Sequence, residues 1–304
     1  MTGQKIGFIG LGAMGIGMSK NLLNAGFSVC GYDINADSMT ALIDAGGNAA
    51  ANPGLVAADV SLLIVCVFGA DQAEEVLYGK NGAAERLPKG STVVMCTTMS
   101  PGQCRDMAAR LETSGHMFID APVTGGKRGA DQGTLTVIAS GSDAAMAAAE
   151  GAFEAMGGKV YRVGDAPGAG SSVKMINQLL VGVHVVAAAE AMALATKAGA
   201  DPHTVYDVIT HGGGNSVVFE SRVPYMLTED YAPRGVVDIF IKDLGIVTDA
   251  ARSLQFPLPL ATAALQQFLS ASAAGYGRSD DASVVKIYEQ LAGVNVADAA
   301  NRED

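Results

Sequence analysis

Ile6-Gly7-Phe8-Ile9-Gly10-Leu11-Gly12-Ala13-Met14-Gly15 is a β-branched and aromatic run that passes directly into G-x-G-x-x-G and then into the helical pattern Met14–Asn24. The hexapeptide alone is weak evidence, and its place between a strand and a helix is what makes it informative. In that setting Gly10 turns the chain tightly, Gly12 lets a pyrophosphate approach the backbone, and Gly15 packs helix on strand, with the helix N-terminus facing the anion. Gly10, Leu11, Gly12, Ala13, Met14 and Gly15 are therefore the expected dinucleotide-binding residues.

The next apolar run, Ser28–Tyr32, ends at Asp33, 23 residues after Gly10. A carboxylate there is placed to bond the adenosine ribose hydroxyls. No arginine follows until Arg86, so a 2′-phosphate would meet Asp33 without a cationic clamp. The expected cofactor is NAD, with NADP disfavoured.

Outward from this start, strand-like runs alternate with helical patterns: Lys5–Ile9, Met14–Asn24, Ser28–Tyr32, Asp37–Ala45, Val60–Val67, Gln72–Leu77, Thr92–Cys96 and Pro101–Thr113. Met117–Ile119, Thr134–Ser140, a helix over Asp143–Met156 and a last strand Lys159–Val163 follow. The alternation predicts an α/β fold, a doubly wound and mostly parallel Rossmann sheet with helices on both faces. After Gly164-Asp165-Ala166-Pro167-Gly168 the texture changes. Ser171–Ala198 is one stretch of helix formers closed by Gly199, and strand signals then largely vanish. A helix of about 28 residues would be about 40 Å long, enough to serve as the spine of an all-helical domain. Two domains are expected, residues 1–163 binding the dinucleotide and residues 164–304 forming an all-α substrate and oligomerisation domain. The tail from Val294 reads as frayed.

Composition excludes several classes. Of 304 residues, 49% are hydrophobic and 17% charged, which describes a core-rich globular chain rather than a disordered one. The 20 Lys and Arg against 31 Asp and Glu leave a net charge of −11 with no basic cluster, so no nucleic-acid partner is expected. Cys30, Cys66, Cys96 and Cys104 have no C-x-x-C spacing, and free thiols in a reducing cytoplasm fit them. The apolar stretch Ile6–Met18 is too rich in glycine for a signal peptide, and Leu179–Ala195, interrupted by His184 and Glu190, falls just short of a membrane span. No membrane association is expected. His116, His184, His203 and His211 show no metal-binding spacing, so no metal is expected either.

Two further segments carry chemistry. Asp120-Ala121-Pro122-Val123-Thr124-Gly125-Gly126 follows a strand, and its Thr-Gly-Gly turn falls where α/β sheets place ligands; successive N–H groups and a hydroxyl there suit a carboxylate. An ordinary Gly-rich loop reads the same way. Gly168-Ala169-Gly170-Ser171-Ser172-Val173-Lys174-Met175-Ile176-Asn177-Gln178 opens the long helix, with Lys174, Asn177, Gln178 and Val181 on one face. A cation in the first turns opposes the helix dipole, so Lys174 does not serve local helix stability; a surface lysine lying along an apolar face is the alternative. Ser171-x-x-Lys174 also matches the arrangement of serine acyl-transfer enzymes, but their partner motifs S-D-N and K-T-G are absent.

Together these segments resemble the β-hydroxyacid dehydrogenase family, the group of 3-hydroxyisobutyrate dehydrogenase, tartronate semialdehyde reductase and L-threonate dehydrogenase. The resemblance spans nearly the whole chain. It rests on Gly10–Gly15 with Asn21-Leu22 and Gly26, Thr97–Pro101, Asp120–Gly126, Gly168–Gln178 and Phe240-Ile241-Lys242-Asp243-Leu244. It implies a Rossmann domain followed by a helical domain of the 6-phosphogluconate dehydrogenase C-terminal type. It further implies that Lys174 is the catalytic acid/base, that Thr124, Gly125, Gly126, Asn177, Gln178 and Lys242 hold the substrate, and that Thr98 and Lys242 also approach the cofactor. Some members carry Asn-Asn where this chain has Asn177-Gln178, which leaves open which amide orients the substrate. Members that prefer NADP tend to show Asn-Arg-Thr where this chain reads Asp33-Ile34-Asn35. The run from Lys174 to Ala195, with Asp238–Gly245, looks most like the sugar-acid branch acting on L-threonate.

The resemblance thus implies hydride transfer between NAD and a small anionic hydroxyacid, with the base within about 3 Å of the reacting hydroxyl. A non-catalytic dinucleotide sensor is the rival reading. It would need Asp33 and the glycines but neither Lys174 nor the Thr-Gly-Gly turn. The Ala-, Leu- and Val-rich helices after Ser171 predict a homodimer or homotetramer.

Overall fold

A strand covered by helices on both faces needs apolar side chains at every position, and the runs of the first half have that character. The computed structural model describes residues 3–302. The chain forms two compact units, the first ending at Met175 and the second beginning at Ile176. In the first, β1 (Lys5–Ile9), β2 (Ser28–Tyr32), β3 (Asn48–Ala49), β4 (Leu62–Val65), β5 (Thr92–Met95), β6 (Met117–Asp120), β7 (Val123–Thr124), β8 (Leu135–Ser140) and β9 (Gly157–Gly164) make one sheet. Its order is β3-β2-β1-β4-β5-β6-β8-β7, with β9 paired to β8. Pairing is parallel from β3 through β6. It turns antiparallel where β6 and β7 meet β8, through Asp120↔Ser140 and Val123↔Val137.

The helices of this unit are α1 (Gly15–Asn24), α2 (Ala36–Asp44), α3 (Pro53–Ala57), α4 (Ala70–Tyr78), α5 (Pro101–Thr113), α6 (Gly126–Gln132) and α7 (Asp143–Met156). Alternate residues of each central strand feed two cores. Ile6, Phe8, Leu62 and Ile64 pack with Met18 and Leu22 of α1 and Phe153 of α7. Ile9, Leu63 and Val65 pack with Val56 of α3, Leu77 of α4 and Leu111 of α5.

The limits expected for β1, β2, α5 and α7 coincide with those observed. The short elements β3, α3, β7 and α6 were not anticipated, because two to seven residues hold too little periodicity to register.

The long helix, α8 (Ala169–Lys197), has 29 residues. The first unit ends inside it rather than at 163, because its first residues are bonded to the sheet: Gly168 N and Ser171 N donate to Asp120, and Gly170 N donates to Ser140 Oγ. By length and apolarity alone α8 would suffice to cross a membrane, a correction to the expectation that its apolar stretch falls short. Val185, Ala189 and Met192 are nonetheless fully buried, as in a core helix.

The second unit continues with α9 (Pro202–Thr210), α10 (Val217–Thr228), α11 (Val237–Ser253), α12 (Pro259–Ala271), α13 (Val285–Ala292) and α14 (Val296–Ala300). The tail from Val294 is therefore not frayed as expected. It forms α14, capped by Asn295 and tied through Val296 N to Glu289 Oε1 at 2.8 Å, with Val296 and Ala297 buried. Glu303 and Asp304 lie outside the described residues.

One ion pair braces this unit. Arg222 of α10 forks onto Asp281, Nε to Oδ1 at 2.5 Å and Nη2 to Oδ2 at 3.1 Å, and Asp281 is fully buried. Removing one partner of such a pair leaves an uncompensated charge in the interior. Arg222→Ala is expected to lower stability by about 3–5 kcal/mol in denaturant titrations; a loss below about 1 kcal/mol, the scale of an exposed pair, would contradict a bracing role.

Candidate active site

The glycine turn is built as its spacing predicts. Gly10 has φ +96°, and a Cβ there would lie 2.2 Å from the Cys66 carbonyl oxygen; a Cβ on Gly15 would lie 1.9 Å from the Gly10 oxygen. Only glycine fits either position. Gly12 differs, since a Cβ there would meet nothing within 4 Å, and that open space is the cradle a pyrophosphate needs. The α1 N-terminus has no side-chain cap, which suits amides intended for an anion. Leu11, expected among the cofactor residues, has its side chain buried in the core and its amide bonded to Asp33. Ala13 is exposed and Met14 half-buried at the same turn.

Beside the turn lies a cavity of about 300 Å³ lined by Gly10, Gly12, Tyr32, Asp33, Cys66 and Val76, among others. Asp33 Oδ2 accepts from Leu11 N at 2.6 Å and Oδ1 from Asn35 N at 2.8 Å. Glu75 also lines the cavity, and among the described lining residues there is no Lys, Arg or His. These residues fit the adenosine half of a dinucleotide: glycine backbone for the pyrophosphate and a carboxylate for the ribose. Thr98 is half-buried just past β5, and the neighbouring Thr97 Oγ1 accepts from Val67 N at 3.0 Å, joining the ends of β4 and β5.

The Thr-Gly-Gly segment is a strand-to-helix turn and not an irregular loop. Thr124 ends β7, Gly125 and Gly126 have φ +125° and +63°, and Gly126 opens α6. A Cβ on Gly126 would meet open space.

Asp120, from the same motif, does structural work that the sequence did not suggest. It is fully buried and accepts from Gly168 N at 2.9 Å, Ser171 N at 2.7 Å and Ser171 Oγ at 2.8 Å. The Ser171 hydroxyl proton is thereby committed, and the side chain is 2% exposed, so Ser171 anchors α8 to Asp120 and the acyl-transfer arrangement is not formed. Cys104 lies in the same cluster, where burial first and the nearby Asp120 charge second push its thiol far up, leaving it inert at neutral pH. Lys174 is 7% exposed, which rules out the surface-lysine alternative.

In the second unit, Asn177, Gln178, Lys242 and one residue missed in the sequence form a chain. Asn177 Nδ2 donates to Gln178 Oε1 at 2.9 Å, Gln178 Nε2 donates to Asp243 Oδ2 at 2.5 Å, and Lys242 Nζ lies 2.9 Å from Asp243 Oδ1. Asp243 is 2% exposed. The Gln178 amide is thus engaged at both its ends, and its extra methylene over Asn supplies reach toward Asp243. The quoted motif contained Asp243, but nothing in its spacing gave it a partner 65 residues away. Phe240 is core, stacked on Phe268 at 4.9 Å, and Phe219 is core, stacked on Tyr206 at 6.0 Å. His211 and Asn215 are bonded locally, His211 Nδ1 to Asp207 O at 2.8 Å and Asn215 Nδ2 to Glu220 Oε1 at 2.6 Å. No group of three His, Cys, Asp or Glu able to hold a metal occurs among the described residues.

Both halves of the chain match known families. Residues 5–164 match the family described as the NAD binding domain of 6-phosphogluconate dehydrogenase, and residues 168–288 the family described as the NAD-binding domain of NADP-dependent 3-hydroxyisobutyrate dehydrogenase. The chain is 48% identical to an L-threonate dehydrogenase of Cupriavidus necator, covering 94% of this chain and 96% of that one. It is 45% identical to an L-threonate dehydrogenase of Escherichia coli strain K12, covering 94% and 95%. A crystal structure from Salmonella typhimurium, named as a 3-hydroxyisobutyrate dehydrogenase, superimposes with a TM-score of 0.89 at 46% identity, covering 93% and 99%.

The open cradle at Gly12 separates folding from binding. Gly12→Ala is expected to melt with the wild type, since its methyl meets no atom, while the dissociation constant for NAD rises about tenfold or more because the methyl occupies the pyrophosphate's approach. Unchanged NAD affinity, measured by titration calorimetry, would mean that the pyrophosphate does not lie there.

Proposed function

The chain belongs to the family of NAD(P)-dependent hydroxyacid dehydrogenases, and from that premise we propose that it oxidises a small sugar acid, L-threonate or a close analogue, with NAD as acceptor and Lys174 as general acid/base. It is an enzyme of the dehydrogenase class, which sets aside the sensor reading. The bound nicotinamide supplies the hydride acceptor. Lys174 takes the proton from the substrate hydroxyl in oxidation and returns it in reduction. Thr124, Gly125 and Gly126 present a hydroxyl and amides to the substrate carboxylate, and Lys242 adds a cation. Asn177 orients the substrate, and Gln178 positions Asn177 because its own amide is engaged with Asp243.

The observation that carries this reading is Lys174 itself. A lysine only 7% exposed near the start of a helix serves neither solubility nor the helix dipole, which supports a chemical role. A second reading takes 3-hydroxyisobutyrate or tartronate semialdehyde as the substrate, and the name of the Salmonella relative supports the first of these.

NAD is preferred because Asp33 and Glu75 line the adenosine cavity, with no Lys or Arg among its described lining residues. The ratio of kcat/KM for NAD over NADP should be about tenfold or more, and equal use of the two would overturn this. Ile176, Leu180 and Leu194 are 53%, 49% and 68% exposed along α8, an apolar stripe that supports a homodimer or homotetramer; sedimentation showing only monomer at micromolar concentration would contradict it.

Lys174→Ala should lose about 10²–10⁴-fold in kcat while keeping NAD affinity. In the wild type, oxidation should rise with pH along a limb set by deprotonation of Lys174, and that limb should be missing in the variant. A variant with near wild-type kcat would remove Lys174 from the chemistry.

A further inference from the structure

Asp33 has a second task. The first two amides of the glycine turn are both held by the end of β2: Gly10 N donates to Tyr32 O at 2.9 Å, and Leu11 N donates to Asp33 Oδ2 at 2.6 Å. The Leu11 side chain is buried against Gly31, where a Cβ would come within 3.2 Å of it. The other carboxylate oxygen is fixed in turn, since Oδ1 accepts from Asn35 N at 2.8 Å and the Asn35 side chain caps α2 by accepting from Asp37 N at 2.9 Å. A continuous line of bonds therefore runs from the start of α2, through the Asp33 carboxylate, to the turn.

We propose that Asp33 is the splint of the glycine turn, holding Leu11 so that the amides from Gly12 onward are presented in fixed positions before any cofactor arrives. The turn needs such a splint because Gly10, at φ +96°, supplies a flexible pivot and the space where a Gly12 Cβ would lie is open. A carboxylate accepting from a backbone N–H makes one of the stronger hydrogen bonds available to a loop. Each carboxylate oxygen has two lone-pair directions and uses one here, so the group can hold the turn and still accept from ribose hydroxyls. The splint is a property of the chain without cofactor; its effect on affinity rests on the dinucleotide reading. A single substitution that removes the charge to admit NADP would also release the turn, so gains for NADP at this position are limited by the loss of preorganisation.

The test is amide hydrogen exchange at Leu11 in the cofactor-free protein, paired with NAD and NADP binding, for the wild type, Asp33→Ser and Asp33→Asn. Asp33→Ser should speed Leu11 exchange about tenfold to a hundredfold, the scale of losing one hydrogen bond to a charged group, and should weaken NAD without an equal gain for NADP. Asp33→Asn keeps a carbonyl acceptor, so it should retain most of the Leu11 protection while still losing NAD affinity. Unchanged Leu11 exchange in Asp33→Ser overturns the splint even if NAD binding falls, a result that leaves the ribose contact standing. Faster exchange with unchanged NAD affinity overturns the claim that the splint prepares the site, and counts against the ribose contact as well.

Discussion

The carboxylate of Asp120 fixes the place of the reaction's proposed base. A buried carboxylate is costly unless its oxygens are hydrogen-bonded, and a helix start is costly unless its first amides find acceptors. Asp120 answers both needs at once, taking Gly168 N, Ser171 N and Ser171 Oγ at the head of α8. Gly170 N on Ser140 adds a second anchor on β8. Lys174 follows Ser171 by three residues on a rigid helix, so the point where its side chain leaves the backbone is set by the sheet. Gly170 has to be glycine for the same reason, because a Cβ there would lie 2.6 Å from the Ile138 carbonyl oxygen and 2.7 Å from that of Asp120.

The second unit presents its polar residues in a similar manner. Asn177, Gln178, Asp243 and Lys242 are linked end to end, and two of the four are nearly free of solvent. A buried polar chain is tolerated when its members satisfy one another, and it then holds each amide in one orientation. Gln178 is held at both its ends, whereas Asn177 uses its amide nitrogen on Gln178.

Most of the fold was legible because the signals were local. The glycine turn, the doubly buried strands and the helices opening at Pro101 and Asp143 each carry their evidence locally, and the limits of β1, β2, α5 and α7 agree with those observed. The site was legible only in part. Lys174 and the Thr-Gly-Gly turn stood out by residue type and placement, but the duty of Asp120 depends on partners 48 and 51 residues away, and that of Asp243 on one 65 residues away. Spacing along a chain does not reveal pairings at that range. The tail was misread in part for a related reason, since Val296 N is held by Glu289 in the preceding helix, while the local signal, Asn295 capping α14, was passed over.

The central claim is that this chain moves hydride between NAD and a small hydroxyacid, with a sugar acid as its best substrate. The direct measurement is NADH formation by the purified protein with NAD across L-threonate, 3-hydroxyisobutyrate, glycerate and their stereoisomers. The account predicts turnover with the highest kcat/KM on L-threonate. A higher kcat/KM on 3-hydroxyisobutyrate would move the specificity to the second reading, and no NADH from any hydroxyacid in the panel would contradict the account.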